Sequence, residues 1–152
     1  MIQPAVDSTV PLQTAFEGVA AEYVFLAARV LFGAVLAFMG LNHFLNGEQM
    51  AGYAAAKGIP GAALMVPFSG GMLLFGGLSV ATGAVPVLGA GALVVFLLVS
   101  TPTMHDFWAA PEEQQQTEMT QFLKNVALIG GALAFLAAGG SAWPLAVDLT
   151  LF

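Results

Sequence analysis

Polar and apolar residues alternate along this chain in long blocks. Residues 23–42 contain a single charged residue, Arg29, and residues 58–105, a run of 48, contain no Asp, Glu, Lys or Arg. A third charge-free run covers the 23 residues 125–147. About 20 helical residues cross a bilayer core of about 30 Å, so the first and third runs each fit one span and the middle run fits two. The pattern predicts four transmembrane helices.

The segment Gly83-Ala84-Val85-Pro86 divides the middle run, because glycine favours the end of a helix and proline favours the first turn of the next. Pro102 is expected to bend the third span or end it early. Short connections make neighbouring helices antiparallel. We therefore predict an all-α fold, a membrane four-helix up-down bundle. Its spans are residues 22–45, 61–83, 86–106 and 121–142.

The connections differ in character. Residues 46–60 suit a short amphipathic helix at the membrane interface, ending at Gly58. Its stripe at helical spacing is Met50, Tyr53, Ala54 and Lys57. Residues 109–120 contain three Glu and three Gln and are predicted to form a solvated acidic loop. The predicted organisation is a polar leader (1–19), one transmembrane domain (20–145) and a short tail (146–152). The leader has no Lys or Arg before the apolar stretch, so we expect no secretory signal peptide.

The amino-acid composition excludes several classes of function. The chain is 59% hydrophobic and 8% charged, whereas soluble domains are about 25% charged, which excludes an ordinary soluble enzyme. Nine acids against three bases give a net charge of −6, which disfavours nucleic-acid binding. An acidic, lysine-poor exterior suits high salt, where repulsion is screened, and we expect a halophilic source. With no cysteine, thiol chemistry is excluded, so any electron transfer needs a bound cofactor or a partner.

The antiparallel topology places the ends of the first and third spans and the starts of the second and fourth on one membrane side, here named the polar side. Of the candidate ligand-binding residues, all but Arg29 fall there. His105 and Asp106 together suggest proton handling, because a nearby carboxylate favours the charged form of a histidine. Two histidines and one aspartate make a weak metal site, and none is predicted. The candidates are Arg29, His43, His105, Asp106, Lys124 and Asn125.

Arg29 lies seven residues past Glu22, about 10 Å deep at helical rise. We predict that it faces the bundle interior; the alternative is a side chain that snorkels to the interface or pairs with Glu22. Arg29, Gly33, Gly40 and His43 share one helical face. That face fits close helix packing, or a ligand or proton groove.

His43 and His105 both end odd-numbered spans. We predict that they approach each other, or one ligand, on the polar side. Alternatively, each bonds an interfacial carbonyl or water.

Five segments resemble the DoxX family of membrane proteins, in the expected order and over roughly residues 20–140. They are the sequence around Arg29 and residues 40–44, 57–60, 105–108 and 122–128. The resemblance implies a four-helix membrane fold with an embedded segment between the first two spans. Members often carry an acidic residue near the start of the second span. This chain has Phe68-Ser69-Gly70-Gly71 there, which argues against a proton relay in that span.

Some members are similar to the membrane subunit of thiosulfate:quinone oxidoreductase, and others to membrane partners of redox-defence enzymes. The resemblance thus implies a multi-pass cell-membrane protein that binds a quinone or another lipophile and is associated with redox or sulfur metabolism. Arg29, His43 and His105 would line its pocket. Its expected partners are membrane lipids and a soluble redox or sulfur enzyme, with no nucleic acid, and a homo-oligomer is left open.

Two other function classes remain. One is a non-catalytic scaffold or binding subunit that packs against a partner through glycine-rich helix faces. The other, a transporter, is weakened because four helices without a repeat make a small pathway. For the orientation, Lys57 and Lys124 lie on the polar side, and the positive-inside rule then places that side in the cytoplasm and both termini outside.

Overall fold

The computed structural model describes residues 18–147, and all the regular secondary structure in this part of the chain is α-helical. The helices are α1 (Val19–Leu45), α2 (Gly47–Ala56), α3 (Ala62–Thr82), α4 (Pro86–Met104) and α5 (Glu112–Ala138). Four of them, α1, α3, α4 and α5, are long and apolar enough to cross a membrane. The predicted fold class, four spans with a short helix after the first, is confirmed. Of the predicted leader and tail, residues 1–17 and 148–152 lie outside the described residues.

The tightest helix contact joins α1 to α3 through glycine. A Cβ atom on Gly33 would lie 2.6 Å from the backbone nitrogen of Ala81, and one on Gly40 would lie 2.7 Å from the carbonyl oxygen of Gly70. Small residues allow such close approach of helix backbones in a membrane. The glycines of α1 therefore serve close packing within the chain, and a partner helix would have to use another face.

The same packing continues through α4 to α5. Gly76 of α3 lies against Leu93 and Gly89 of α4, and the buried side chains between the helices form one core. Ala132 and Phe135 are the buried residues of α5. The ring of Phe135 lies 5.9 Å from Phe25 and 5.2 Å from Phe32 of α1, between ring centroids. These aromatic contacts close the bundle between its last and first spans.

The prediction of an acidic loop at residues 109–120 is wrong from Glu112 onward, because α5 begins at that residue. Pro111 precedes the helix in an extended conformation, with ψ 146°, and Glu112 and Glu113 occupy the first turn. Carboxylates at this end interact favourably with the helix dipole. The polar residues of this segment therefore extend the fourth span as a solvated helix.

The other glycine and proline residues that were predicted to mark helix ends and starts lie at those positions. Gly83 ends α3 in a left-handed conformation, and Pro86 occupies the first turn of α4. Gly58 also has a positive φ, 82°, just past the end of α2. The helix α4 ends at Met104, two residues beyond Pro102 and two short of the predicted end.

Candidate functional site

A cavity of about 800 Å³ lies on the polar side, between the end of α1, the helix α2, the start of α3 and the end of α4. Its volume falls within the range of small-molecule sites, which are mostly apolar with a few polar groups. Four of the chain's seven methionines line it, namely Met50, Met65, Met72 and Met104. Its polar lining consists of Asn42, His43, Asn46, Gln49, Tyr53, Ser69, Ser100 and Thr103.

The position of α2 creates this cavity. Ala54 of α2 packs against Ala62 and Val66 at the start of α3, and Met50 and Met104 border that small cluster. The helix therefore lies across the end of the bundle and closes the cavity on that side. Of the predicted interfacial stripe, Met50, Tyr53 and Ala54 line the cavity.

Of the six candidate ligand-binding residues predicted from the sequence, His43 is the one that lines the cavity. Its Nδ1 lies 2.8 Å from the carbonyl oxygen of Met39. A carbonyl only accepts hydrogen bonds, so Nδ1 carries the hydrogen and donates it. The imidazole meets the ring of Phe96 edge-on at 6.3 Å between centroids. Within residues 18–147, Nε2 has no hydrogen-bond partner, and it is the ring atom left for a ligand.

One buried hydroxyl of the lining is also without a partner among the described residues. Ser69 and Thr103 donate to the carbonyls of Val66 and Val99, at 2.9 and 2.8 Å. By contrast, the Ser100 Oγ is buried and bonds no described residue. Buried hydroxyls are normally hydrogen-bonded, so this one is a candidate ligand contact. Ser100 lies one turn beyond Phe96 on α4, which places it on the side of the helix that meets His43.

Two ion pairs lie next to the cavity at the end of the bundle. The Nζ of Lys57 is 2.6 Å from Asp106 Oδ1, and the Nδ1 of His105 is 2.8 Å from Glu118 Oε2. The hydrogen bond with Asp106 raises the pKa of Lys57, against the opposing effect of burial. The same bond lowers the pKa of Asp106. The pairs tie the α2–α3 connection and helix α5 to the end of α4.

Arg29 lies at the opposite end of the bundle from this cavity. Its side chain is fully buried, as predicted, and forms no ion pair with Glu22. The Nη2 donates to the carbonyl oxygen of Leu145 at 2.5 Å, and the guanidinium carbon lies 5.8 Å from the centre of the Trp143 ring. Arg29 thus binds the segment that follows α5.

The remaining candidates also lie outside the cavity lining. Lys124 is exposed and donates to Gln121 at 2.8 Å, and Asn125 is half-buried on α5. His105 contacts Glu118, whereas His43 contacts Phe96, so the two histidines have different neighbours. A ligand shared between them stays a prediction.

Sequence reasoning missed Ser100 and the amide side chains of the lining. A signal for part of this set was present, because Asn42 and Asn46 are four residues apart and share one helical face. The amide of Asn46 in fact donates to the Asn42 side-chain oxygen at 2.5 Å.

A family model described as DoxX matches residues 24–106, more than half of the 152 residues. Comparisons with curated proteins and with solved structures gave no match. The matched range runs from α1 to just past the end of α4 and contains every residue that lines the cavity. Helix α5 lies outside it.

Proposed function

This chain belongs to the DoxX family of integral membrane proteins, and from that premise we propose that it binds a quinone, or a lipophile of similar shape, in the polar-side cavity. In this proposal the chain is the membrane subunit of a redox or sulfur enzyme. The observation that carries it is the cavity itself, which has a volume of about 800 Å³ and mostly apolar walls. It also contains a histidine nitrogen that has no hydrogen-bond partner among residues 18–147.

The lining fits a flat ring with an apolar tail. Methionine side chains adapt to irregular shapes and make favourable contacts with aromatic rings. His43 and Ser100 offer hydrogen-bonding atoms to the oxygen substituents of such a ring. Phe68 and Val99 line the cavity yet are both 62% exposed on the helix surface. A ligand tail leaving past them would enter the surrounding lipid.

His43 supplies the acid–base chemistry of the proposed site. A bound quinone would supply two-electron redox chemistry, which the chain's own side chains lack because it contains no cysteine. Through Nε2, His43 accepts a proton when neutral and donates one when charged. Exchange of electrons then requires a redox partner, which in this proposal is a soluble redox or sulfur enzyme.

Titration of the detergent-purified protein with decylubiquinone tests the proposal. We expect saturable binding to the wild type. For the reduced form, decylubiquinol, we expect roughly two- to tenfold weaker binding to His43→Ala, because its hydroxyl group loses one hydrogen bond to Nε2. Lys124→Ala is the matched control, because Lys124 is exposed and outside the cavity, and it should bind like the wild type. Absence of saturable binding to the wild type would overturn the proposal.

Cross-linking with a photoreactive azidoquinone tests the location. The label should attach to peptides that contain residues 42–54 or 95–104, which line the cavity. Labelling confined to α5 would place the ligand elsewhere.

A further inference from the structure

We propose that the cavity selects ligands that carry a hydroxyl group, a hydroquinol or another phenol, over ligands that present only a carbonyl or an ether oxygen. The selecting pair is His43 and Ser100. The inference rests on the proposed function, since it assigns the chemical class of the ligand bound in the same cavity.

The hydrogen bond from Nδ1 to Met39 determines what His43 offers a ligand. Because Nδ1 carries the hydrogen, a neutral imidazole has a lone pair at Nε2 and acts there as an acceptor. The ion pairs in the part of the chain that the structure describes are Lys57–Asp106 and His105–Glu118. His43 belongs to neither pair. A neutral His43 pairs with an O–H group and repels the lone pairs of a carbonyl oxygen.

Ser100 completes the recognition of a hydroxyl. Its Oγ lacks a partner among the described residues and is able both to donate and to accept. A phenolic hydroxyl placed beside Phe96 would donate to Nε2 of His43 and accept from Ser100. A carbonyl or ether oxygen would accept from Ser100 and leave Nε2 unpaired.

Three other polar groups of the lining already form hydrogen bonds within the chain. The Asn42 side-chain oxygen already accepts from Asn46, and the hydroxyls of Ser69 and Thr103 already donate to backbone carbonyls. Because only the hydroxyl ligand forms the hydrogen bond to Nε2, we expect it to bind about tenfold more tightly.

The test uses two probes of the same ring and chain length, 4-decylphenol and 4-decylanisole, of which only the phenol donates a hydrogen bond. Dissociation constants are measured in one detergent for the wild type, His43→Phe, Ser100→Ala and the control Lys124→Ala. The phenol preference is the ratio of the anisole dissociation constant to the phenol dissociation constant. Comparing this ratio between proteins cancels the different partitioning of the two probes into micelles. We expect the preference to fall about tenfold in His43→Phe, to fall several-fold in Ser100→Ala and to persist in Lys124→Ala. Anisole binding should remain in all four.

The outcomes separate the two proposals. If the wild type does not bind decylubiquinone, the proposed function fails. If both probes bind and the phenol preference is the same in the wild type, His43→Phe and Ser100→Ala, selection by hydroxyl is wrong while the lipophile site stands. Should His43→Phe fail to fold, Ser100→Ala decides, and an unchanged preference in that variant overturns the inference.

Discussion

Arg29 shows at the residue scale how a charge is accommodated inside the bundle. A buried charge within a membrane span is costly unless it meets polar or aromatic partners. Here it meets the Leu145 carbonyl and the face of Trp143, both from the segment after α5. The same segment is tied to α3, because the Val147 amide donates to Thr82 at 2.9 Å. Arg29 therefore anchors the chain that follows the last span.

Replacing Arg29 by Met should release this segment. A hydrogen bond to a charged group is worth about 1.5–3 kcal/mol, so we expect the Val147 amide to exchange with deuterium at least about tenfold faster. Mass spectrometry of the peptide that contains residues 143–147 measures the change. Ligand binding should be unaffected, since the cavity lies at the other end. Glu22→Gln, on an exposed position of α1, is the control and should leave exchange unchanged. Equal exchange rates in Arg29→Met and the wild type would contradict the anchoring role.

The Lys57–Asp106 pair lies outside the spans and should make stability depend on pH. The pKa of Asp106 is lowered, so its contribution is complete above the unfolded-state value, about 3.9, and is lost as the pH falls through the folded-state value. The pKa of Lys57 is raised, so its contribution is complete below about 10.4 and is lost as the pH rises through the folded-state value.

Asp106→Asn should therefore lower the melting temperature between these limits and flatten its fall below about pH 4. Thermal unfolding in detergent from pH 3 to pH 8 measures both effects. Glu113→Gln removes an exposed acid that forms neither described ion pair and should reproduce the wild-type curve. A wild-type melting temperature in Asp106→Asn at pH 7 would mean that the pair adds nothing to stability.

At the scale of elements, the contact of α1 with α3 leaves no space for a side chain. Gly33→Ala would put a Cβ atom 2.6 Å from the backbone of Ala81, so the helices must separate. Such overpacking typically costs about 1–3 kcal/mol, and we expect a lower melting temperature. Gly71→Ala is the matched control, because a Cβ atom on this α3 glycine would have nothing within 4 Å. Equal melting temperatures for the two variants would show that the contact is looser than described.

The helices also show which of their boundaries could be predicted from the sequence and which could not. The spans were predictable because a bilayer fixes the length of a charge-free helix, and Gly83 and Pro86 mark a helix end and a helix start wherever they occur. The start of α5 was missed because Glu112 and its neighbours lie outside the apolar run. Pro111 followed by two acids was nevertheless a local signal of a helix start.

At the scale of the whole molecule, the candidate site was less predictable than the spans. His43 was identifiable because polar residues at the end of a span are few. The cavity beside it depends on α2 folding over the start of α3, and this is a tertiary arrangement that no local pattern specifies. Ser100 was missed for a related reason, because its significance is an absent hydrogen-bond partner, which becomes visible only when the helices are packed.

The topology of the whole molecule decides which aqueous compartment the cavity borders. The chain contains no cysteine, so single introduced cysteines report their side without background. The positive-inside rule, applied to Lys57 and Lys124, places the polar side in the cytoplasm. In intact cells we therefore expect a membrane-impermeant maleimide to label Ala84→Cys, between α3 and α4. Gln115→Cys on α5 and Glu48→Cys on α2 should react only after permeabilisation.

Each alternative labelling pattern has a distinct meaning. Labelling of Ala84→Cys and Gln115→Cys from the same side would contradict the four-span topology, because one helix, α4, separates them. Labelling of Gln115→Cys and Glu48→Cys alone in intact cells would keep the topology and reverse the orientation. A soluble partner of the proposed site would then have to act outside the cell, because the ends of α1 and α4, which line the cavity, lie on that one side.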